Sequence, residues 1–273
     1  MKNVLIEQEK NGATWIVINR ENKRNAINFE VIEELNIALT KAENDNSGIV
    51  IITGAGDRAF CSGGDLECFR DLKTKEEASG MLTQMGNILE RLMFFPKITV
   101  AALNGTAVGG GCELSMACDF RVAAPHVKMG FVQGKLGITT GWGGGTILLQ
   151  KVAKVRAMEM LLSANIYSID TLVEIGVVNK IINDPFHEGV MGWISSFIDN
   201  VEVQKSYKAR LLDNVDRQLI SQNMKREIEQ CASLWESDAH HEAVEDIGTK
   251  MKVIPIDHFD DAIAFLESLE RKN

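Results

Sequence analysis

The chain contains few of the residues that mark several other classes of protein. Its 273 residues include 4 prolines, 5 cysteines and 6% aromatic residues. The cysteines form no CxxC pair and no zinc-ligand spacing, and their odd number does not match a disulfide framework. Composition therefore argues against a disulfide-stabilised secreted scaffold and favours a reducing compartment, so we expect a cytoplasmic protein.

Long apolar runs and excess positive charge are also missing. No stretch of about eighteen uninterrupted apolar residues occurs, which argues against a membrane span. The apolar run at residues 4–6 is too short for a signal peptide and leads directly into Glu7. Lys and Arg number 29 against 38 Asp and Glu, giving a net charge of −9. We therefore expect neither a membrane nor a nucleic acid as a partner.

The remaining composition is that of a globular α/β protein. Apolar residues make up 45% and charged residues 25% of a chain long enough for one large domain with an appendage. Strand-like and helix-like segments alternate up to residue 182, which favours parallel pairing, and only helices follow residue 186. The predicted strands are 4–7, 14–19, 48–53, 98–103, 120–123, 128–131 and 178–182, and a turn is predicted at 11–12. The predicted helices are 29–44, which Asn28 caps, 66–93, 146–162, and 168–175, which Gly176 ends. Loops are predicted near Pro185 and Pro255. The charged run at 73–77 is interpreted as a solvated face.

Two glycine-rich turns are the most informative part of the sequence. Three glycines at 109–111 follow an apolar run and open a predicted helix, with Glu113 just inside it. Glycine lets a backbone N–H approach a ligand closely, and a helix N-terminus favours negative charge. Gly64 lies in a similar turn after an earlier strand. Ordinary strand-to-helix turns are the alternative, but the pair could supply the two converging N–H donors that an oxyanion requires.

These segments occur in an order that resembles the enoyl-CoA hydratase/isomerase superfamily, the crotonases. The matching segments are 18–28, 59–66, 109–119, 141–144 and 164–179. The resemblance implies a spiral of ββα units with a helical C-terminal part. It implies an acyl-CoA-binding core over residues 1–195 and a helical oligomerisation part over 196–273, through which members form homotrimers or homohexamers. It implies an acyl-CoA substrate, with no metal and no cofactor apart from the coenzyme A of that substrate.

The resemblance also assigns roles to particular residues. Gly64 and Gly110 supply backbone donors to a thioester carbonyl, and Glu113 corresponds to the first catalytic glutamate. A carboxylate in an apolar pocket can have a raised pKa, which suits acid/base work, although Glu113 could instead complement the helix dipole. The implied substrate-binding residues are Lys23, Arg24, Ala26, Cys61, Ser62, Gly63, Asp65, Leu66, Gly109 and Trp142. Simpler alternatives are exposed charges for Lys23 and Arg24, a helix cap for Asp65, and a buried aromatic for Trp142.

Gln133 stands where the family's hydratases carry their second glutamate. No Asp or Glu occurs between residues 120 and 157, so this difference does not depend on the alignment register. A carboxamide does not titrate, which makes two-glutamate hydration doubtful and weakens the isomerase interpretation. It suits decarboxylation of a malonyl-type thioester, because a second glutamate about 4 Å from the substrate's carboxylate would oppose binding by roughly 4 kcal/mol.

Three functions therefore remain open. The leading hypothesis is an acyl-CoA decarboxylase that stabilises an enolate, with Gln133 bonding the substrate's carboxylate and Glu113 delivering a proton to carbon. A charged Glu113 would repel that carboxylate unless it is protonated or set aside. The second is a hydratase that uses Glu113 alone, with water held by Gln133. The third is a homologue that binds acyl-CoA or a protein partner without catalysis. Nucleophilic catalysis by Cys61 and a metal site at His240–His241 are less favoured.

Overall fold

The structure is a computed structural model that describes residues 2–9, 12–183, 185–197 and 199–253, with side chains to residue 246. Its strands are Val4–Gln8 (β1), Ala13–Ile18 (β2), Ile49–Gly54 (β3), Ala59–Cys61 (β4), Ile98–Leu103 (β5), Thr106–Val108 (β6), Phe120–Ala123 (β7), Lys128–Gly130 (β8), Tyr167–Ser168 (β9) and Lys180–Ile181 (β10). Its helices are Phe29–Asn44 (α1), Leu66–Phe69 (α2), Lys75–Met93 (α3), Gly110–Ala117 (α4), Gly144–Lys151 (α5), Lys154–Ser163 (α6), Ile169–Glu174 (α7), Phe186–Ile194 (α8), Val201–Asp213 (α9), Arg217–Trp235 (α10) and Asp238–Val253 (α11).

The larger sheet has the order β1-β2-β3-β5-β7-β10. β1 runs antiparallel to β2, and every other pair in this sheet is parallel. All six residues of β3 are buried, as expected for a strand of a parallel sheet that is covered on both faces. The predicted α/β class and parallel pairing are confirmed.

A second, smaller sheet positions the candidate site. It has the order β4-β6-β8-β9, with β4, β6 and β8 parallel. The carboxyl ends of these three short strands therefore meet at one edge, which is where parallel sheets commonly place ligand-binding loops. Gly64 follows β4, Gly110 follows β6 and Gln133 follows β8. β4, β6 and β9 are not predicted from the sequence, because they are only two or three residues long.

Several predicted elements agree with the structure almost to the residue. α1 spans the predicted 29–44, and the Asn28 side chain accepts a hydrogen bond from the N–H of Val31, as its N-cap role requires. β5 and β7 have their predicted bounds, and α7 ends before Gly176, whose φ is +77°. Gly12 has φ +82° at the first turn; Asn11 and Pro255 lie outside the described residues.

Two predicted helices are wrong in detail. The helix predicted over 66–93 is divided into α2 and α3. The charged run at 73–77 includes a capping box, in which Thr74 accepts from the N–H of Glu77 and the Glu77 carboxylate accepts from the N–H of Thr74. The helix predicted over 146–162 begins earlier, at Gly144, and is interrupted after Lys151. Neither Val152 nor Ala153 is a helix breaker by residue type, so tertiary packing decides this break.

The C-terminal helices contact the core of the same chain. Lys208 on α9 pairs with Asp119, which follows α4, and both side chains are buried. The indole N–H of Trp235 on α10 donates to the carbonyl of Leu72 at 2.9 Å. The ring of His240 on α11 lies 2.7 Å from the carbonyl of Leu136. In the described part of the chain, no helix is both long enough and apolar enough to cross a membrane.

Candidate active site

The two glycine-rich loops pack backbone against backbone. A Cβ on Gly111 would overlap the carbonyl of Cys61, and a Cβ on Gly63 would lie 3.0 Å from the backbone nitrogen of Gly110. Gly63 also has φ +92°, a conformation that favours glycine. These positions must lack side chains for the loops to meet, which explains physically why both turns are rich in glycine.

Gly64 and Gly110 carry backbone N–H groups that donate to no acceptor within the described residues. The neighbours of Gly64 are fixed by Ile27, whose N–H donates to the Gly63 carbonyl at 2.9 Å and whose carbonyl accepts from Asp65 at 2.8 Å. Gly110 opens α4, where the first N–H groups of a helix have no partner within that helix. The arrangement leaves two donors on adjacent loops available to a ligand oxygen.

The indole ring of Trp142 covers this pair of glycines. A Cβ on Gly110 would collide with carbons of the six-membered ring, and a Cβ on Gly64 would lie 3.8 Å from Cζ2 of the same ring. Trp142 is 4% exposed. A flat apolar wall therefore lies directly beside the two N–H groups and limits the space available there.

Glu113 is a buried carboxylate that accepts hydrogen bonds from four donors. Its Oε2 accepts from the N–H groups of Trp142 and Gly144, both at 2.9 Å. Its Oε1 accepts from Nε2 of Gln133 at 2.8 Å and from the N–H of Gly141 at 3.4 Å. The side chain thus complements the start of α5 rather than the dipole of its own helix.

The pKa of the Glu113 carboxyl is raised to about 7. Burial is the largest cause, since it disfavours the charged form, and the nearby Glu227 carboxylate adds to it. The N–H groups of Gly144, Trp142 and Gly141 act in the opposite direction. A carboxyl with this pKa exchanges a proton near neutral pH, as a general acid or base requires.

Glu227 is a site residue that the sequence does not predict. It lies on α10, and its Oε1 accepts from the N–H of Gly145 at 3.0 Å. Its Oε2 accepts from the N–H and the hydroxyl of Thr146 at 2.7 and 2.6 Å. Glu113 and Glu227 together therefore satisfy the N-terminal N–H groups of α5, whose N-cap Gly143 has no side chain to do so. No local pattern signals a contact across more than 80 residues.

Gln133 lies in a 3-10 turn, Val132–Leu136, and is buried. Its Nε2 is committed to Glu113, whereas its Oε1 is buried without a hydrogen-bond partner among the described residues. A Cβ on Gly109 would lie 4.0 Å from its Cδ. The carboxamide is therefore held between Glu113 and the residue that precedes the free N–H of Gly110.

Comparison with known proteins identifies the family to which this fold belongs. A profile of the enoyl-CoA hydratase/isomerase family matches residues 8–253. The chain belongs to that family. It is 36% identical to the short-chain-enoyl-CoA hydratase of Clostridium acetobutylicum over 67% of this chain and 69% of that protein. It is 30% identical to the ethylmalonyl-CoA decarboxylase of Xenopus tropicalis over 89% of this chain and 82% of that protein.

The fold comparison gives the same assignment. The crystal structure of an enoyl-CoA hydratase/isomerase from Xanthobacter autotrophicus superposes with a TM-score of 0.83 at 25% identity, covering 97% of each chain. The crotonase-like fold expected from the sequence is confirmed. Within this family fold, Gly64, Gly110, Glu113, Gln133 and Trp142 come together from segments that are up to 78 positions apart in the sequence.

Several of the predicted substrate-binding residues of this family member lie in or beside the loop between β4 and α2. Asp65 is confirmed as a helix cap, since it accepts from the N–H groups of Glu67 and Cys68, and it also pairs with Arg20 at 2.8 Å. Burial raises the pKa of the Cys61 thiol to about 12, which disfavours the thiolate form that a nucleophilic cysteine requires. Ser62 donates its N–H to the Arg24 carbonyl. Two further predicted residues lie next to this loop. Ala26 directly precedes Ile27, which forms a β-bridge with Gly64, and Leu66 is the first residue of α2.

Lys23 and Arg24 lie at the outer end of this loop system. Lys23 forms an exposed ion pair with Glu67 at 2.6 Å. Arg24 and Asn25 both have positive φ, 53° and 56°, and the Asn25 side chain fixes this turn by donating to the carbonyls of Ala55 and Ala59. His240, the residue weighed as a metal ligand, instead packs its ring against Trp235.

The bonding of Glu113 predicts a difference between two substitutions. Glu113→Leu leaves the buried N–H groups of Trp142 and Gly144 without an acceptor, each at about 1–3 kcal/mol, whereas Glu113→Gln retains one oxygen for both. We expect Glu113→Leu to lower the free energy of unfolding by at least about 2 kcal/mol more than Glu113→Gln. Urea unfolding of the two variants measures this, and equal losses would show that Glu113 does not anchor the turn.

Proposed function

We propose that this protein removes CO2 from a malonyl-type acyl-CoA. The observation that carries the proposal is Gln133, a neutral carboxamide bonded to Glu113 where the family's hydratases carry a second glutamate. Gly64 and Gly110 would hold the thioester oxygen between their N–H groups. The site then offers two N–H donors to a developing oxyanion, and Glu113 as the group that transfers a proton to the substrate's α-carbon.

The chemistry balances with these groups alone. The bond between the substrate's α-carbon and its carboxylate breaks, CO2 leaves, and the electron pair passes into the enolate of the thioester. The N–H groups of Gly64 and Gly110 stabilise the charge on the enolate oxygen, and each preorganised donor lowers the barrier by about 3 kcal/mol. Protonated Glu113 then delivers its proton to the α-carbon and becomes ionised, which gives the shortened acyl-CoA.

The charge of the site supports a substrate that carries its own carboxylate. Glu113 and Glu227 already place two carboxyl groups around the start of α5. A third, at position 133, would oppose a bound carboxylate by roughly 4 kcal/mol at 4 Å and intermediate dielectric. A glutamine of nearly the same shape removes that repulsion. The ethylmalonyl-CoA decarboxylase of Xenopus tropicalis, which matches nine tenths of this chain, supports the same assignment.

A hydratase that uses Glu113 alone is the second candidate. The similarity to the Clostridium acetobutylicum hydratase favours it, because identity there is higher, although it covers a smaller share of the chain. Water would then be held by the unpaired Oε1 of Gln133. An acyl-CoA-binding homologue without catalysis is the third candidate, and it predicts no turnover at all.

The coenzyme A nucleotide is proposed to meet Lys23 and Arg24. Burial lowers the pKa of the Arg24 guanidinium, and the neighbouring Arg58 guanidinium lowers it further. Two guanidinium groups that interact electrostatically would form a local positive surface in a protein of net charge −9. Such a surface suits the phosphates of coenzyme A, because anions offset the mutual repulsion of the two cations.

Turnover of two substrates tests the proposed reaction. We expect purified protein to release CO2 from methylmalonyl-CoA and to leave crotonyl-CoA unchanged, as followed by mass spectrometry. Gln133→Glu restores the repulsion and should lower kcat/KM for methylmalonyl-CoA at least about a hundredfold. Gln133→Met, which adds no charge, is the matched control and should lose less. Water addition to crotonyl-CoA with no release of CO2 would support the hydratase instead.

We propose that Trp142 packs against the acyl group and restricts its length. The ring lies over both glycines, so a long acyl chain would have to displace it. Trp142→Ala should raise kcat/KM for butylmalonyl-CoA relative to methylmalonyl-CoA by about tenfold, because a hydrophobic wall discriminates by a few kcal/mol at most. The ratio of the two kcat/KM values in Trp142→Phe should lie between the ratios in the unmodified protein and in Trp142→Ala. An unchanged ratio in Trp142→Ala would place the acyl chain elsewhere.

We propose that the protein assembles as a homotrimer or homohexamer. α6 exposes Val155, Met158 and Leu162 to 80%, 43% and 79%, and their spacing of three and four residues places them on one helical face. A contiguous exposed apolar face is typical of an interaction surface. This face supports the assembly that the family resemblance implies, and it lies outside the 196–273 segment to which that resemblance assigns the contact.

Light scattering after size-exclusion chromatography tests the assembly. The unmodified protein should have a mass three or six times 30.2 kDa. The double substitution Val155→Ser/Leu162→Ser should reduce that mass, because it removes the two most exposed apolar side chains of the face. Ile37→Ser, which alters a residue on α1 that is 47% exposed and lies outside both α6 and the 196–273 segment, is the control and should leave the mass unchanged. A monomeric unmodified protein would contradict the proposal.

A further inference from the structure

The Gln133 carboxamide has one satisfied end and one unsatisfied end. Its Nε2 donates to Oε1 of Glu113 at 2.8 Å, and its own Oε1 is buried with no hydrogen-bond partner in the described structure. Buried polar side-chain atoms are nearly always paired. The unpaired oxygen lies on a side chain next to Gly109 and therefore beside the proposed thioester position. A ligand group is expected to complete this pairing.

The two oxygens of Glu113 are not equally satisfied. Oε2 accepts two bonds of 2.9 Å, from Trp142 and Gly144. Oε1 accepts one good bond, from Gln133, and a long one of 3.4 Å from Gly141. A proton is therefore added at Oε1 with the smaller loss of hydrogen bonding. The resulting O–H needs an acceptor, whereas the group that faces it is the NH2 of Gln133.

Rotation of the carboxamide by half a turn removes this conflict. The carbonyl oxygen of Gln133 then accepts from the Glu113 O–H, and the NH2 group takes the place of the unpaired oxygen. A glutamine side chain carries an acceptor and two donors at its end. Gln133 can therefore donate a hydrogen bond to ionised Glu113 or accept one from protonated Glu113. No other change in the surrounding bonds is required, since Oε2 keeps both of its donors.

The two arrangements present opposite polarity to the acyl site. With Glu113 ionised, the site shows a negative charge and a carbonyl oxygen, both of which repel a carboxylate. With Glu113 neutral, the charge is gone and N–H donors face the ligand. We propose that binding of the substrate's carboxylate is coupled to uptake of one proton by Glu113 and to reversal of the Gln133 carboxamide. This inference rests on the proposed decarboxylase function and specifies how the site recognises its substrate.

The coupling also accounts for the proton that the reaction consumes. Decarboxylation converts a malonyl-type anion and one proton into CO2 and the shortened acyl-CoA. The proton taken up with the substrate is then the one that Glu113 delivers to the α-carbon after CO2 leaves. Delivery returns Glu113 to its ionised form, and the carboxamide reverts to donating through Nε2. Each turnover begins and ends with the same arrangement.

The groups around Glu113 set the pH at which the coupling is visible. Glu227 on α10 is the neighbouring carboxylate, and with burial it raises the pKa of Glu113 to about 7. The thiols of Cys112 on α4 and Cys231 on α10 stay neutral, because burial raises the pKa of each well above its ordinary value. Above pH 7, affinity for the carboxylate should fall about tenfold per pH unit, since one proton is taken up, and below pH 7 it should be nearly constant.

A matched pair of stable ligands tests the coupling. We would use S-(2-carboxypropyl)-CoA, a thioether that cannot lose CO2, and S-isobutyl-CoA, in which a methyl group replaces the carboxylate. Isothermal titration calorimetry at pH 8 in two buffers of different ionisation enthalpy gives the protons taken up per ligand bound. We expect the number of protons taken up with the carboxylate ligand to exceed the number taken up with the isobutyl ligand by a value near one. Both ligands carry the same CoA phosphates, so titration of those groups cancels in the difference.

Two variants isolate the residues. Glu113→Gln carries a permanent NH2 where the protonated oxygen would be, so it should bind the carboxylate ligand about tenfold more tightly than the unmodified protein at pH 8, with no proton uptake. Gln133→Met cannot reverse a carboxamide and should lose affinity for the carboxylate ligand only. Unchanged affinity for the isobutyl ligand shows that each variant is folded.

The outcomes separate this inference from the proposed function. Equal proton uptake for both ligands, or uptake that persists in Glu113→Gln, overturns the coupling. If methylmalonyl-CoA is nevertheless decarboxylated, the proposed function stands without it. Coupled uptake with no turnover of methylmalonyl-CoA supports the recognition mechanism and overturns the proposed function alone.

Discussion

The site depends on one buried carboxylate that satisfies backbone donors from another segment of the chain. Glu113 belongs to α4, but two of its bonds fix the turn that begins α5. That turn carries Trp142, whose ring covers Gly64 and Gly110. The placement of the ring over the glycines therefore depends on this contact, and the start of α5 depends on it together with Glu227. The same contact requires glycine at 144, where any Cβ would overlap the Glu113 side chain.

In the proposed oxyanion site, the donors are backbone groups rather than side chains. The small sheet of β4, β6 and β8 brings three strand ends to one edge, and close packing of the glycines lets two loops touch there. Donors fixed in this way need little reorganisation when negative charge develops on a ligand. What the sequence must supply at Gly63 and Gly110 is therefore the absence of a side chain, since a Cβ there would meet Gly110 or Trp142. The chemistry of the family member then depends on the few side chains added around this frame.

The elements that sequence reasoning predicts best are those with a strong periodic signal or a local cap. α1 has both, because its apolar positions repeat at helical spacing and Asn28 caps it. The glycines at 63–64 and 109–111 mark their loops because only a residue without a side chain permits the contact. The strands β4 and β6 are too short to show any period. The break between α5 and α6 and the partnership of Glu227 with α5 depend on tertiary contacts that no local pattern encodes.

Position 133 shows how one neutral side chain changes what the same frame can do. Glu113 and Glu227 already lie around the start of α5, and their proximity is one cause of the raised pKa of Glu113. A carboxylate at 133 would add a second repulsion on Glu113 and raise that pKa further, until the two groups shared one proton. The carboxamide instead bonds to Glu113 in either protonation state. It therefore leaves Glu113 free to exchange a proton near neutral pH while the site remains open to a ligand that brings its own negative charge.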